Sequence, residues 1–302
     1  MSSPRSEPVP DDASRTAVLV CEGRAVAQDR FAVGRFDDPT AMRLLREDER
    51  GSVLRARSGA APKAWRDRIE FEMLRANAEV MVPRTVAIDD AVSERPAAQV
   101  VILGAGLDGR AWRMRGLATV DVFEVDHPAS QRDKRDRVGE LRPLARSLRF
   151  VPVDFTGDDL DGALATAGHD ASAPTTWVWE GVVPYLTPAE VEASARVVSR
   201  RSGAGSRLVV NYQAPAVSAR IGRRLAGLLA TLAGRPDPLA REPQRSAWTP
   251  AAMRGLLSGN GFAVVGDDDL LSVAEGLGMP VRNRRSLRVG RVVVADRWTP
   301  HD

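Results

Sequence analysis

The chain of 302 residues has one cysteine, Cys21, so it can form neither an internal disulfide nor a thiolate metal cluster. Its three histidines, His127, His169 and His301, stand far apart, and no pair has a metal-ligand spacing. No apolar run approaches the ~18 residues of a membrane span. The polar start, dotted with Pro4, Pro8 and Pro10, lacks the apolar core of a signal peptide, and a frayed segment is expected through about Ser14. Lysine is nearly missing: Lys63 and Lys134 are the only two, and arginine carries almost all the positive charge. With 43 basic against 40 acidic side chains the formal charge is +3, a small arginine excess and not a basic domain. No long run of like charges occurs, so a nucleic-acid footprint is not indicated. The chain is therefore read as cytoplasmic, with no nucleic-acid and no membrane partner. Internal repeats and low-complexity segments are missing too.

What is present centres on Gln99 to Pro128. Val100 to Leu103 is apolar and β-branched, the pattern of a strand buried on both faces. Gly104, Ala105 and Gly106 follow at once, where glycines allow a sharp turn and close approach of a ligand. Asp108 to Leu117 has helical composition, and a second strand, Val120 to Val125, ends in Asp126. A strand, glycine loop, helix, strand and terminal acid in this order hold an adenosine-bearing cofactor, the acid taking the ribose hydroxyls. Gly104, Gly106 and Gly109 also fit G-x-G-x-x-G letter for letter, which points to a dinucleotide; an ordinary βα turn is the plainer alternative.

The rest of the chain repeats the alternation. Thr16 to Val92 reads as helical, with Pro39 opening a short helix, a break from Gly51 to Pro62, and a long amphipathic helix through Trp65, Ile69, Met73 and Val80. Met81 to Thr85, around Pro83, closes this block. The block is expected to pack over the carboxyl edge of a sheet. Later strands are Leu148 to Val153 ending in Asp154, Thr176 to Trp179 ending in Glu180, and Arg207 to Tyr212. Thr187-Pro188 with Glu190 is a capping box. Thr249-Pro250 opens another helix, and strands Phe262 to Val265 and Arg291 to Ala295 close the chain. The linker between these two has no long apolar helix, which suits an antiparallel last strand. A single α/β domain is expected: a helical cap over residues 15–92, a cofactor-binding core over 93–213, an insertion over 214–246 and closing strands over 247–302.

Leu103 to Asp108, Phe123 to Pro128 with Gln131 and Lys134, Val153-Asp154-Phe155, and Glu180 to Pro188 resemble the leucine carboxyl methyltransferase family. They are closest to its bacterial branch of S-adenosylmethionine-dependent O-methyltransferases, which includes carboxyl methyltransferases of polyketide pathways. Asp38-Pro39-Thr40-Ala41, Arg84-Thr85 and Ile88-Asp89-Asp90 resemble that branch as well. One departure is Gly109, where the branch usually has threonine. The resemblance implies a class I, Rossmann-like, seven-stranded sheet with an antiparallel last strand, and S-adenosylmethionine as cofactor. It also implies roles. Arg84 would pair with the cofactor's carboxylate. Gly104, Ala105 and Gly106 would pass beneath its methionine and ribose. Asp126 would bind the ribose hydroxyls, with Glu124 structural. Asp154 would take the adenine amino group beside Phe155, and Glu180 would lie near the methionine amino group.

A sulfonium methyl group is already activated, so the protein mainly aligns an acceptor and excludes water. A carboxylate needs no base, whereas a phenol or alcohol does. No histidine stands where a base is expected, so no catalytic residue is assigned and a carboxylate or hydroxyl of a small secondary metabolite is the expected acceptor. Tyr185, Tyr212 and Gln213 are candidates for the acceptor pocket. The insertion's one apolar helix, Ile221 to Leu232, is expected to act as a lid. The competing functions are an NAD-dependent oxidoreductase, disfavoured by the lack of a Tyr-x-x-x-Lys pair, and a non-catalytic cofactor-binding protein. The sequence leaves the oligomeric state open.

Overall fold

The computed structural model describes residues 14–215 and 244–297. At its centre lies a seven-stranded sheet in the order β3-β2-β1-β4-β5-β7-β6. The strands are β1 (Gln99–Leu103), β2 (Asp121–Asp126), β3 (Ser147–Pro152), β4 (Thr175–Trp179), β5 (Arg207–Gln213), β6 (Phe262–Asp269) and β7 (Gly290–Arg297). The pairings among β1 to β5 are parallel, while β7 runs antiparallel to both β5 and β6. The expected antiparallel last strand is thus present, inserted between β5 and β6. Strand order reverses between β1 and β4, and open α/β sheets bind ligands at the carboxyl ends of strands flanking such a reversal.

Alternation along each strand divides the core into two layers. Val101, Leu103, Phe123, Val125, Trp177 and Trp179 face α7 (Leu160–Thr166), α8 (Pro188–Arg200) and α9 (Pro250–Gly259). Val100, Ile102, Val122, Val178 and Val209 face the N-terminal helices. These are α1 (Arg15–Ala27), α2 (Pro39–Leu44), α3 (Glu47–Ser58) and α4 (Trp65–Glu94). The N-terminal block therefore covers a face of the sheet, with α1 reaching its carboxyl edge. The Thr187–Glu190 capping box and the Thr249 cap form as expected. After β1 comes α5 (Arg110–Arg113); α6 (Pro128–Val138) follows β2. Between β6 and β7 stand α10 (Leu270–Gly276) and α11 (Arg284–Val289).

Three local expectations are corrected. Helix α3 runs through Gly51 and stops at Gly59, whose left-handed φ of 77° ends it, so the expected break starts later. Pro83 does not close the N-terminal block: α4, 30 residues long, runs through it to Glu94. Met81, Val82, Arg84, Thr85 and Val86 around the proline are all buried, and that packing offsets the roughly 3 kcal/mol a mid-helix proline costs. Asp108 to Leu117 forms only the single turn α5 and a 3-10 turn, because the backbone turns extended at Met114 (φ −84°, ψ 106°) and ends α5 there. The lid expected around Ile221 to Leu232 lies outside the described residues.

At the amino end of the sheet, buried His169 accepts from Arg201 Nε at Nδ1 (3.2 Å), which leaves Nε2–H to face Thr175 Oγ1 at 3.0 Å. Burial, then the Arg201 charge, push its pKa down to about 4. A base depressed in the folded state binds fewer protons than in the unfolded chain, so its contribution is present above 6.5 and lost as pH falls toward 4. Acidification through this window is expected to cost about 2 kcal/mol, less than the full shift implies because solvent screens part of it. Urea titrations of His169→Gln across the same range should show a flatter profile; an unchanged slope would remove His169 as the cause.

Candidate active site

β1 ends at Leu103, and the chain folds back at once onto β2. Gly104 N and Ala105 N both donate to Val125 O, at 2.8 and 3.1 Å. Gly104 and Gly106 have φ of +68° and +44°, and a Cβ at Gly104 would sit 1.9 Å from Val182 Cγ2. Gly106 lies under α1, where a Cβ would meet Ala17 at 2.9 Å. The N–H of Gly106 donates to Asp126 Oδ2, and His127 N donates to Asp126 Oδ1 at 2.6 Å. Each carboxylate oxygen retains a lone pair for a further donor. Burial raises the Asp126 pKa, against the pull of these two backbone N–H groups.

The loop, α1 and the ends of β1, β2 and β4 enclose a cavity of about 280 Å³. Beside it runs a buried ionic chain. Arg24 Nε meets Asp38 at 2.8 Å and Arg24 Nη2 donates to Leu107 O at 2.6 Å. Arg113 links Asp38 (3.6 Å) to Asp89 (2.6 Å). Arg110 continues from Asp89 (2.7 Å) to Asp108 and to Glu180 (2.8 Å), and Arg84 Nε closes on Glu180 Oε1 at 2.7 Å. Four guanidiniums thus face four carboxylates, and their charges cancel. Burial pushes the Glu180 pKa up, but Arg110 and Arg84 overcome it and hold the carboxyl well below the usual range. Burial lowers the pKa of Arg84.

The cavity lining brings together most of the residues expected from the sequence: Arg84, Gly104, Ala105, Gly106, Asp126, Phe155 and Glu180. Asp154 is the exception. Its Oδ1 accepts from Thr156 N (2.9 Å) and Thr156 Oγ1 (2.7 Å), so the carboxylate caps its own turn and does not line the cavity. Tyr185 lines the cavity; Tyr212 and Gln213 do not. Strand alternation sets Tyr212 with Leu208 and Val210 on the α8 and α9 face, where its hydroxyl donates to Asp267 at 2.8 Å. Gln213 Oε1 accepts from Gln244 at 2.6 Å. Glu124 is structural: fully buried, it meets Lys134 Nζ at 2.6 Å, and that ammonium lies over the Trp112 ring at 5.0 Å. Burial pushes Glu124 up to about 7.

Thr16, Arg24 and Asp108, which also line the cavity, were not singled out from the sequence as site residues. Asp38 and Asp89 carried a signal only inside the N-terminal motifs quoted for the resemblance. Gly109 has an ordinary φ; it is small because a Cβ there would meet Asp38 and Thr40 at 3.1 Å.

A parallel sheet reversing between β1 and β4, a glycine loop folded onto a strand-end acid, and an ion pair at the same cavity are the features of the S-adenosylmethionine-dependent methyltransferase class. Within it the chain belongs to the leucine carboxyl methyltransferase family, whose model matches residues 17–199. A Frankia alni protein, provisionally named an S-adenosyl-L-methionine-dependent methyltransferase, is 36% identical over 197 residues, covering 64% of this chain and 66% of that protein. The chain spans between about half and two thirds of the length of the curated relatives it matches. Among solved structures, a Streptomyces avermitilis protein described as a DUF574 family member has a TM-score of 0.55 at 13% identity, covering 95% of this chain and 98% of that one. A Thermobifida fusca protein provisionally described as a methyltransferase has a TM-score of 0.54 at 14% identity, with 96% of each chain covered. These two likenesses concern the fold. The cofactor of this class is S-adenosylmethionine. Among the described residues no helix is long and apolar enough to cross a membrane.

Proposed function

We propose that the protein transfers a methyl group from S-adenosylmethionine to an oxygen of a small-molecule acceptor, a carboxylate or hydroxyl of a secondary metabolite, with a free carboxylate favoured. The cofactor, when bound, supplies an activated methyl group on a sulfonium. The Arg84–Glu180 pair then meets its zwitterionic end, guanidinium to carboxylate and carboxylate to ammonium. Gly104 to Gly106 pass beneath the methionine and ribose, Asp126 accepts from the ribose hydroxyls and Phe155 forms a wall for the base. Asp154 Oδ2, which accepts none of the Thr156 hydrogen bonds, remains the candidate for the adenine amino group.

The observation that carries the carboxylate preference is the state of the acids around the cavity. Among the described lining residues, Asp108 and Glu180 are paired to guanidiniums, and Asp126 is held by two backbone N–H groups. His127 uses Nδ1 to accept the Ala129 N–H at 3.2 Å. None of these is poised to take a proton from a phenol or alcohol, whereas an ionised carboxylate needs no such help. The oxidoreductase alternative loses support here. The N–H groups of Gly104, Ala105 and Gly106 are spent on Val125 O and Asp126, so they offer no cradle to a pyrophosphate.

Incubation with methyl-labelled S-adenosylmethionine and matched panels of carboxylic acids, phenols and alcohols tests the reading. Label released as methanol by mild alkali marks esters and is the expected result. Label that is only alkali-stable would replace the carboxylate by a hydroxyl, and no transfer with intact binding would favour a non-catalytic protein. For the cofactor's orientation, Arg84→Met should weaken adenosylhomocysteine at least about tenfold, since hydrogen bonds between charged groups contribute roughly 1.5–3 kcal/mol. Adenosine should bind it as it binds the wild type. Calorimetry showing equal losses for both ligands would separate Arg84 from the carboxylate.

A further inference from the structure

The 3-10 turn Val183–Tyr185 follows β4 and is held from outside as much as from within. Val182, just before it, packs so closely on the glycine loop that a Cβ at Gly104 would sit 1.9 Å from its Cγ2. Gly181, Val182 and Tyr185 all line the cavity, so this stretch and the glycine loop form two of its walls. Within the turn the bonds are few. Tyr185 N donates to Val182 O at 2.8 Å and Leu186 N to Val183 O at 3.3 Å, while Pro184 has no N–H to give. Arg245 and Ser246 supply three more donors. Arg245 N and Ser246 N donate to Pro184 O, at 2.7 and 3.2 Å, and Ser246 Oγ donates to Val183 O at 2.8 Å. Ser246 is buried, and its Oγ also accepts from Trp248 Nε1 at 3.2 Å. Two residues on, Trp248 N donates to Gln213 O at 2.9 Å. This short segment therefore bridges the end of β5 and the turn after β4 without itself lining the cavity.

We infer that Ser246 is a positioning residue for the methyl-transfer site: its hydroxyl, on the Val183 carbonyl, holds the turn that keeps Val182 on Gly104 and Tyr185 at the cavity. The inference rests on the reading that S-adenosylmethionine fills this cavity, and it is independent of whether the acceptor is a carboxylate or a hydroxyl. A turn of three residues, with one short internal bond and one long one, has little of its own to fix its height over the glycine loop. A ligand that enters between two walls binds most tightly when both already stand at the right separation, because ordering a loose wall on binding costs affinity. Ser246 acts through the turn and does not touch the cofactor.

The test is calorimetric, on the full chain with adenosylhomocysteine, with urea midpoints measured on the same proteins. Ser202 is a matched control at the amino end of the sheet. Its Oγ likewise donates to a carbonyl, Val198 O at 2.6 Å, and accepts from a tryptophan, Trp177 Nε1 at 2.9 Å, but it does not line the cavity. Ser246→Ala should weaken adenosylhomocysteine about fivefold, the scale of one neutral hydrogen bond. Ser202→Ala should lower the urea midpoint at least as much, because it strands the buried Trp177 N–H, and leave the affinity unchanged. In a Val182→Ala background, which removes the methyl groups over Gly104, Ser246→Ala should cost under about twofold, since residues acting through one contact are not additive. Wild-type affinity in Ser246→Ala would overturn the inference. Equal losses of affinity in Ser246→Ala and Ser202→Ala would do so too, by showing general loosening, as would a full loss that persists beside Val182→Ala. If Ser246→Ala does not fold, Ser246→Cys keeps a similar volume with a weak donor and is read the same way. A wild type that binds no adenosylhomocysteine, or an Asp126→Ala protein that binds it as the wild type does, would overturn the placement of the cofactor, and Ser246 with it. A large Asp126→Ala loss beside an unchanged Ser246→Ala would overturn Ser246 alone.

Discussion

A Glu180→Ala variant is expected to lose about 3–5 kcal/mol of folding stability, the cost of breaking a buried ion pair from one side. Glu180 is the shared counter-charge of Arg84 and Arg110, which are 8% and 2% exposed. Arg110 keeps Asp89 and Asp108, but Arg84 is left buried with no ion-pair carboxylate found among the described residues. Most domains are stable by only about 5–15 kcal/mol, so the loss should appear as a large fall in the urea midpoint. The double variant Glu180→Ala with Arg84→Met removes the stranded cation and should regain a good part of the loss. A single variant costing under about 1 kcal/mol, or a double variant no better than the single, would mean that water already reaches Arg84 and that the pair is not a buried latch.

Asp126→Ala is expected to weaken adenosylhomocysteine at least about a hundredfold. Two ribose hydroxyls lose a charged acceptor, at roughly 1.5–3 kcal/mol each. The loop suffers as well, since Gly106 N and His127 N lose the oxygens that accept from them. Asp126→Asn separates these effects. Its one amide oxygen can serve a single backbone N–H, so the loop should be partly retained while the charge is lost. Calorimetry on both variants, with melting curves to establish folding, is the check. Asp126→Ala binding within threefold of wild type while remaining folded would reject the ribose role.

Much of the site was legible because its signals are local. A β-branched run followed by Gly104-Ala105-Gly106 marks a strand and a sharp turn wherever it occurs. Asp126 and Glu180 follow their strands at the carboxyl edge. The structure places both at the cavity, with Arg84 and Phe155. Asp154 also follows its strand, yet Thr156 two residues on offers a nearer partner, and a strand-end position alone does not say where a carboxylate turns. Tyr212 differs for a similar reason: it stands near the end of β5 as the sequence indicates, but the alternation of side chains sends its ring to the layer of Leu208 and Val210. Pro83 was read as a boundary because the local cost of a helical proline is visible in sequence and the packing that offsets it is not.

The sequence by itself determined the alternation of strands and helices, the antiparallel close of the sheet, the turn at Gly104 to Gly106 and the class of cofactor, since each follows from spacing within a few residues or from a motif read in order. Only the tertiary structure decided which charges meet. Arg24 and Asp38 come from the first helices, Asp89 from the end of α4, Arg110 and Arg113 from the turn after β1, and Glu180 from the end of β4. Ion pairs across such separations leave no periodic trace, and in a chain with 43 basic and 40 acidic side chains nearly any pairing is open until burial selects one.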